Sequence, residues 1–237
     1  MRRGRHLGVR PSVEEILERR EGEAKRQGLP PALAASASFP YVAGGRFAQA
    51  LYRRAGGSWR LVNRAHRRPP VSTEQVLHPH KWIAGERPMR VSIPRKPPLQ
   101  RGLRRVGGGE LGELDTSIVL GAGVREDEAA RAAAGWGGGA FAVWHRGRRP
   151  DPLCDPPCRQ RFAALMAWRW DSESDAREAR RATERYVEAG LKPGSGGKGA
   201  WRLEEGAVAL SGSGRRSSLA FAPNVRAARA LASAGVR

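Results

Sequence analysis

The chain has 237 residues, enough to bury one large core or two small ones, and a change of composition part-way along favours two. Its formal net charge of +20, from 43 Lys and Arg against 23 Asp and Glu, raises phosphate polymers as partners. The cations are nearly all arginines scattered among Ala and Gly, as GC-rich coding produces, and no recognition-module signature or basic-aromatic interleaving accompanies them, so nucleic acid is disfavoured. The basic start Met1-Arg2-Arg3-Gly4-Arg5-His6 leads into no apolar run, so no signal peptide is read, and the lack of about 18 consecutive apolar residues excludes a membrane-spanning helix.

Residues 1–11 read as a disordered basic arm ended by Pro11. Ser12 followed by Glu14 and Glu15 predicts a capped helix running to about Gln27, where Gly28 closes it. A second helical segment starts at Pro31, is interrupted by Phe39-Pro40-Tyr41, and resumes with Phe47, Ala50 and Leu51 at helical spacing until Gly56-Gly57. Trp59, Leu61, Val62 and Ala65 predict another short helix. In Pro69-Pro70-Val71-Ser72-Thr73-Glu74-Gln75-Val76-Leu77-His78-Pro79-His80-Lys81-Trp82, Ser72 or Thr73 caps a helix that Pro79 stops within two turns, leaving His78 near its exit. Residues 12–87 thus form a small all-helical domain.

Met89 to Ile93 alternates like a short strand, and the Pro-, Arg- and Gly-rich stretch from Pro94 to Gly109 reads as a connector, so residues 88–109 are the linker. Glu110–Leu120 and Glu126–Ala134 are helical. Ala140–Trp144 and Phe162–Trp170 make a hairpin, with Cys154 and Cys158 in its loop as a disulfide candidate across Pro156-Pro157. The acidic run Asp171–Asp175 caps a helix to about Ala189, Gly194–Gly197 is a flexible loop, and short strands around 200–222 precede a closing helix from Pro223. The order predicts an α+β fold: an N-terminal all-helical region, then, over 110–237, an antiparallel four-stranded sheet with helices on one face. Trp136, Trp144, Trp168, Trp170 and Trp201 belong to its core.

Several of these segments resemble, in order, the carboxy-terminal half of an uncharacterised group of bacterial proteins regarded as zinc-metallopeptidase-like. They are Phe39-Pro40-Tyr41, Phe47 to Tyr52, Gly57 with Trp59, the block from Pro70 to Pro79, Ala84-Gly85-Glu86, Leu111-Gly112-Glu113, Ala132 to Gly138, and Trp170-Asp171 through Glu178. The resemblance implies an upstream zinc-binding helix bearing H-E-x-x-H, which this chain lacks: no two of His6, His66, His78, His80 and His145 stand four apart around a glutamate. It also implies export, and it marks Glu74, His78 and Lys81 as residues lining a substrate cleft, with Trp82 standing where the family shows tyrosine.

Each candidate has a plainer reading. His78 and His80 offer two imidazoles where catalytic zinc needs three protein ligands, so a helix-end role is favoured over metal. Glu74 in a first helical turn is stabilised by the dipole there, which favours capping over general-base chemistry. His145 reads as a hairpin end, and Gly107-Gly108-Gly109 and Gly137-Gly138-Gly139 read as turns, since neither fits a phosphate-loop pattern. The leading reading is a non-catalytic C-terminal portion or degenerate member of the metallopeptidase-like group, whose partner is an upstream zinc-bearing domain and which itself holds no cofactor. The alternative is a basic module that binds nucleic acid or other polyanions.

Overall fold

The computed structural model describes Glu15, Arg19 and residues 30–95, 97, 98, 102–146 and 162–237. The basic arm, nearly all of the helix expected over 12–27, and both Cys154 and Cys158 lie outside the described residues. The chain divides into two compact units, one made of residues to Pro70 together with Gln75–Glu86, the other of Val71–Glu74 with Arg87–Arg237.

In the first unit, helix α1 spans Pro31–Arg54, with Pro31 in its first turn, where a missing N–H costs nothing. The interruption expected at Phe39-Pro40-Tyr41 does not occur, because Pro40 lies inside a continuous helix. An internal proline costs about 3 kcal/mol. Burial of Val42, Phe47 and Leu51 along one stripe offsets that, while Tyr41 points to solvent. Gly56 and Gly57, at φ of +67° and +81°, reverse the chain into helix α2, Arg60–Arg67, which buries Leu61 and Val62.

Helix α3, Thr73–Leu77, stops before Pro79 as the sequence predicts, and the same proline then opens helix α4, Pro79–Ala84, so that His78 stands at an N-cap. Trp82 of α4 joins Phe47, Leu51, Leu61 and Val62 in the core of this unit. It meets Phe47 edge-on at 5.7 Å between ring centroids, donates from Nε1 to the Arg68 carbonyl at 3.1 Å, and carries the Arg64 guanidinium 5.2 Å from its ring centre.

The second unit is an antiparallel sheet with helices, the α+β architecture expected, but the sheet has seven strands rather than four. They are β1 Leu103–Glu110, β2 Trp136–Arg146, β3 Phe162–Trp170, β4 Ser195–Gly197, β5 Ala200–Leu203, β6 Gly206–Ser213 and β7 Arg216–Ala222. Their spatial order is β1-β2-β3-β7-β6-β5-β4. Strand β1 comes from the segment read as a connector, and β4 from the one read as a flexible loop. Both are exposed edge strands built largely from glycine and charge, so neither carries the apolar alternation that reveals a half-buried strand. Met89–Ile93 is not a strand; instead the Met89 N–H donates to the Gly137 carbonyl at 2.6 Å.

Helices α5 Glu113–Gly121 and α6 Glu126–Ala133 lie between β1 and β2 in sequence, α7 Glu173–Arg185 follows β3, and α8 Val225–Gly235 follows β7. The expectation of helices on one face is corrected by the packing. Trp168, Trp170, Val208 and Leu219 pack with Ala176 and Ala179 of α7, whereas Ala163, Leu165, Ala209 and Ala220, of opposite strand parity, pack with Ala228, Leu231 and Ala232 of α8. Because both parities of β3, β6 and β7 are apolar, both faces need cover. All five tryptophans assigned to the core are buried.

A π-helical turn, Tyr186–Gly190, ends α7, and the turn between α5 and α6 closes onto it: a Cβ on Gly123 would lie 2.6 Å from the Tyr186 Cα. Burial in this contact pushes the Tyr186 hydroxyl above its usual range, since the tyrosinate would lose its hydration there.

Candidate functional site

Two places carry the polar chemistry. In the sheet unit, four of the segments singled out by the sequence meet at the end of the sheet where β2 begins and β3 stops. The Thr73 Oγ1 accepts from the Leu114 N–H at 3.3 Å, and Gly112 leaves no room there for a side chain, since a Cβ would sit 2.5 Å from that oxygen. Asp115 closes the first turn of α5 by accepting from the Gly112 N–H at 2.9 Å. Trp136 Nε1 donates to the Leu111 carbonyl and Trp168 Nε1 to Thr116 Oγ1, both at 2.9 Å. Opposite them the Asp171 N–H donates to the Gly135 carbonyl at 2.9 Å.

Glu74 is 1% exposed, and its carboxylate and that of Asp171 bring oxygens within 4.8 Å of each other. Asp171 was not among the residues singled out for chemistry, because in sequence it reads as one acid in a helix-capping run.

His78 and Lys81 belong with the helical unit, whereas Glu74 counts with the sheet unit. Lys81 is engaged by Glu86 at 3.2 Å, and the Glu86 carbonyl also accepts from Gln75 Nε2; these contacts tie α4 to α3. The His78 and His80 rings lie 5.9 Å apart, and among the described residues no trio of metal-ligating side chains includes either. His145 lies one residue before the end of β2, at the hairpin end as expected, buried against Phe162 at 4.5 Å between ring centroids. A shallow hollow at the start of α6 is lined by Arg125, Glu126, Asp127 and Ala130. Within it Arg125 pairs with Asp127, and the Arg131 hydrogen bond to Asp127, aided by Arg125, holds that carboxyl below its usual range.

The second place is the surface of the helical unit. Residues 30–70 contain seven arginines and not one Asp, Glu or Lys. Arg53 and Arg54 end α1; Arg60, Arg64 and Arg67 recur at i, i+4 and i+7 along the solvent side of α2; Arg68 follows, and all six are exposed. Among the described residues none of the six pairs with a carboxylate. Tyr52 and Trp59 stand in the middle of this series, ring centroids 5.1 Å apart, and Trp59 is 63% exposed. The sequence reading missed this face by judging arginine frequency instead of the length of the carboxylate-free run, which is the signal that finds it.

Comparison with known proteins addresses the sheet unit. Residues 100–232, more than half of the chain, match a family model described as a domain of unknown function, DUF8575. The chain belongs to the DUF8575 family. The matched segment starts just before β1 and runs into α8, so the DUF8575 domain is the seven-stranded sheet with its helices, and the arginine face lies outside it. No curated protein and no solved structure matches the chain.

Proposed function

We propose that this protein is a binding module for phosphate polymers, with the arginine face of the helical unit as its contact surface and the DUF8575 sheet as a separate folded body. The observation that carries the reading is the run of exposed arginines on α1 and α2 without a carboxylate. Uncompensated cations so close in sequence repel one another and hold counterions, and a polyphosphate backbone relieves both. Arginine suits the task, since its planar fork matches phosphate oxygens and stays charged at any physiological pH. The two helix C-termini beneath Arg53, Arg54 and Arg67 tolerate these charges through the backbone dipole.

The test is a salt titration of binding to a fluorescent 20-nucleotide oligomer. With six arginine contacts, the logarithm of the association constant should fall against the logarithm of salt with a slope of about −4. A slope near zero, or no binding at low salt, overturns the reading.

A second reading, a non-catalytic portion of a metallopeptidase-like protein, is favoured by the meeting of the Ser-Thr-Glu-Gln, Leu-Gly-Glu and Trp-Asp segments around Glu74 and Asp171. On that reading the full chain neither retains zinc through dialysis nor turns over peptides. Stoichiometric zinc together with turnover counts against it.

A further inference from the structure

Resting on the phosphate-polymer reading, we infer that the arginine face selects single-stranded nucleic acid, with bases stacking on Trp59 beside Tyr52. Trp59 is 63% exposed, the most solvent-accessible tryptophan of a chain whose five sheet-unit tryptophans are all buried. An indole costs free energy in water, and among the described residues the core of α1, α2 and α4 closes without it, around Phe47, Leu51, Leu61, Val62 and Trp82. The Gly56-Gly57 reversal, in a backbone conformation that favours glycine, sets Trp59 against Tyr52, whose ring braces one side of it at 5.1 Å and a 53° tilt. Within two residues on either side of the pair come Arg53, Arg54 and Arg60.

An aromatic platform flanked by cations is what an unpaired base with its phosphate requires, since every base offers a π-face and the backbone passes alongside. Duplex bases are stacked on one another and closed to such a platform, and inorganic polyphosphate has no base to offer. Single strands therefore gain an interaction that the other two anions lack.

The experiment uses the full chain and three probes: oligo(dT) of 20 nucleotides, a duplex of mixed sequence and the same length, and long-chain polyphosphate. Oligo(dT) is expected to bind at least tenfold more tightly than polyphosphate at equal phosphate concentration and to quench tryptophan fluorescence. Trp59→Ala should weaken oligo(dT) roughly tenfold and leave polyphosphate unchanged, while Trp59→Phe keeps most of the single-strand advantage. Circular dichroism checks that each variant is folded. Equal affinity for all three probes, or a Trp59→Ala variant that retains its preference, overturns the stacking inference and leaves the phosphate reading standing. Binding to none of the three overturns both.

Discussion

Gly138→Ala is expected to destabilise the sheet unit by about 2–3 kcal/mol, the cost of overpacking a closed site. A Cβ built at Gly138 lies 2.1 Å from the Met89 carbonyl oxygen and 3.0 Å from its carbon. Both are backbone atoms, and Met89 is itself held by its N–H bond to the Gly137 carbonyl, so no flexible side chain can yield. Strand β2 is already irregular between Trp136 and Gly138, which lets the segment around Met89 run alongside it. Urea unfolding should show a lower midpoint at unchanged slope. Gly194→Ala is the control, since a Cβ there meets nothing within 4 Å. Equal midpoints for the two variants would show that Met89 does not pack on β2 as described.

Replacing Arg53, Arg54, Arg60 and Arg67 together by Gln should cut affinity for a single-stranded 20-mer about 100-fold at 0.1 M salt. The salt slope should fall from about −4 to about −1.5, because two phosphate contacts remain of six. All four side chains are exposed, and none packs in the core of the helical unit. Loss of their interaction with the helix C-termini costs only a few tenths of a kcal/mol each, roughly the low end of the measured range. Arg64 is left in place because it lies over the buried Trp82 ring and contributes to packing.

What the sequence revealed follows from which signals it carries locally. Strand β3 was read at its observed limits, Phe162–Trp170, because aromatic and aliphatic residues fill both of its faces. The helix after Ser172 was legible from its cap, and Ser172 Oγ does accept from the Asp175 N–H at 3.2 Å. Strand β1 was not, since Gly107-Gly108-Gly109 has no side chain to report a sheet and is ordered by pairing with β2. Pro40 misled in the other direction: its local veto on helix is real, yet the Val42, Phe47 and Leu51 stripe outweighs it. Helix placement on both sheet faces depended on noticing that alanines at 163, 207, 209, 220 and 222 are core residues and not spacers.

The polar sites divide in the same way. Lys81, singled out for a cleft, bridges to Glu86, whose carbonyl also accepts from Gln75 eleven residues earlier, a separation that no local pattern announces. Glu74 was read as a capping residue, and its near-complete burial beside Asp171 depends on a contact between segments almost a hundred residues apart. The arginine face, by contrast, was present in the sequence as a run of 41 residues with no acid, and its exposure on α1 and α2 turns that run into a surface.

Whether that surface, and not the overall charge of +20, binds phosphate is decided by two variants of equal net charge. One carries the four substitutions in the helical unit; the other replaces Arg181, Arg202, Arg226 and Arg229, all exposed on the sheet unit, by Gln. Measured by anisotropy with the same labelled 20-mer at 0.1 M salt, the helical-unit variant should lose about 100-fold in affinity and the sheet-unit variant less than threefold. Equal losses from both would contradict a dedicated arginine face and reduce the binding to bulk charge.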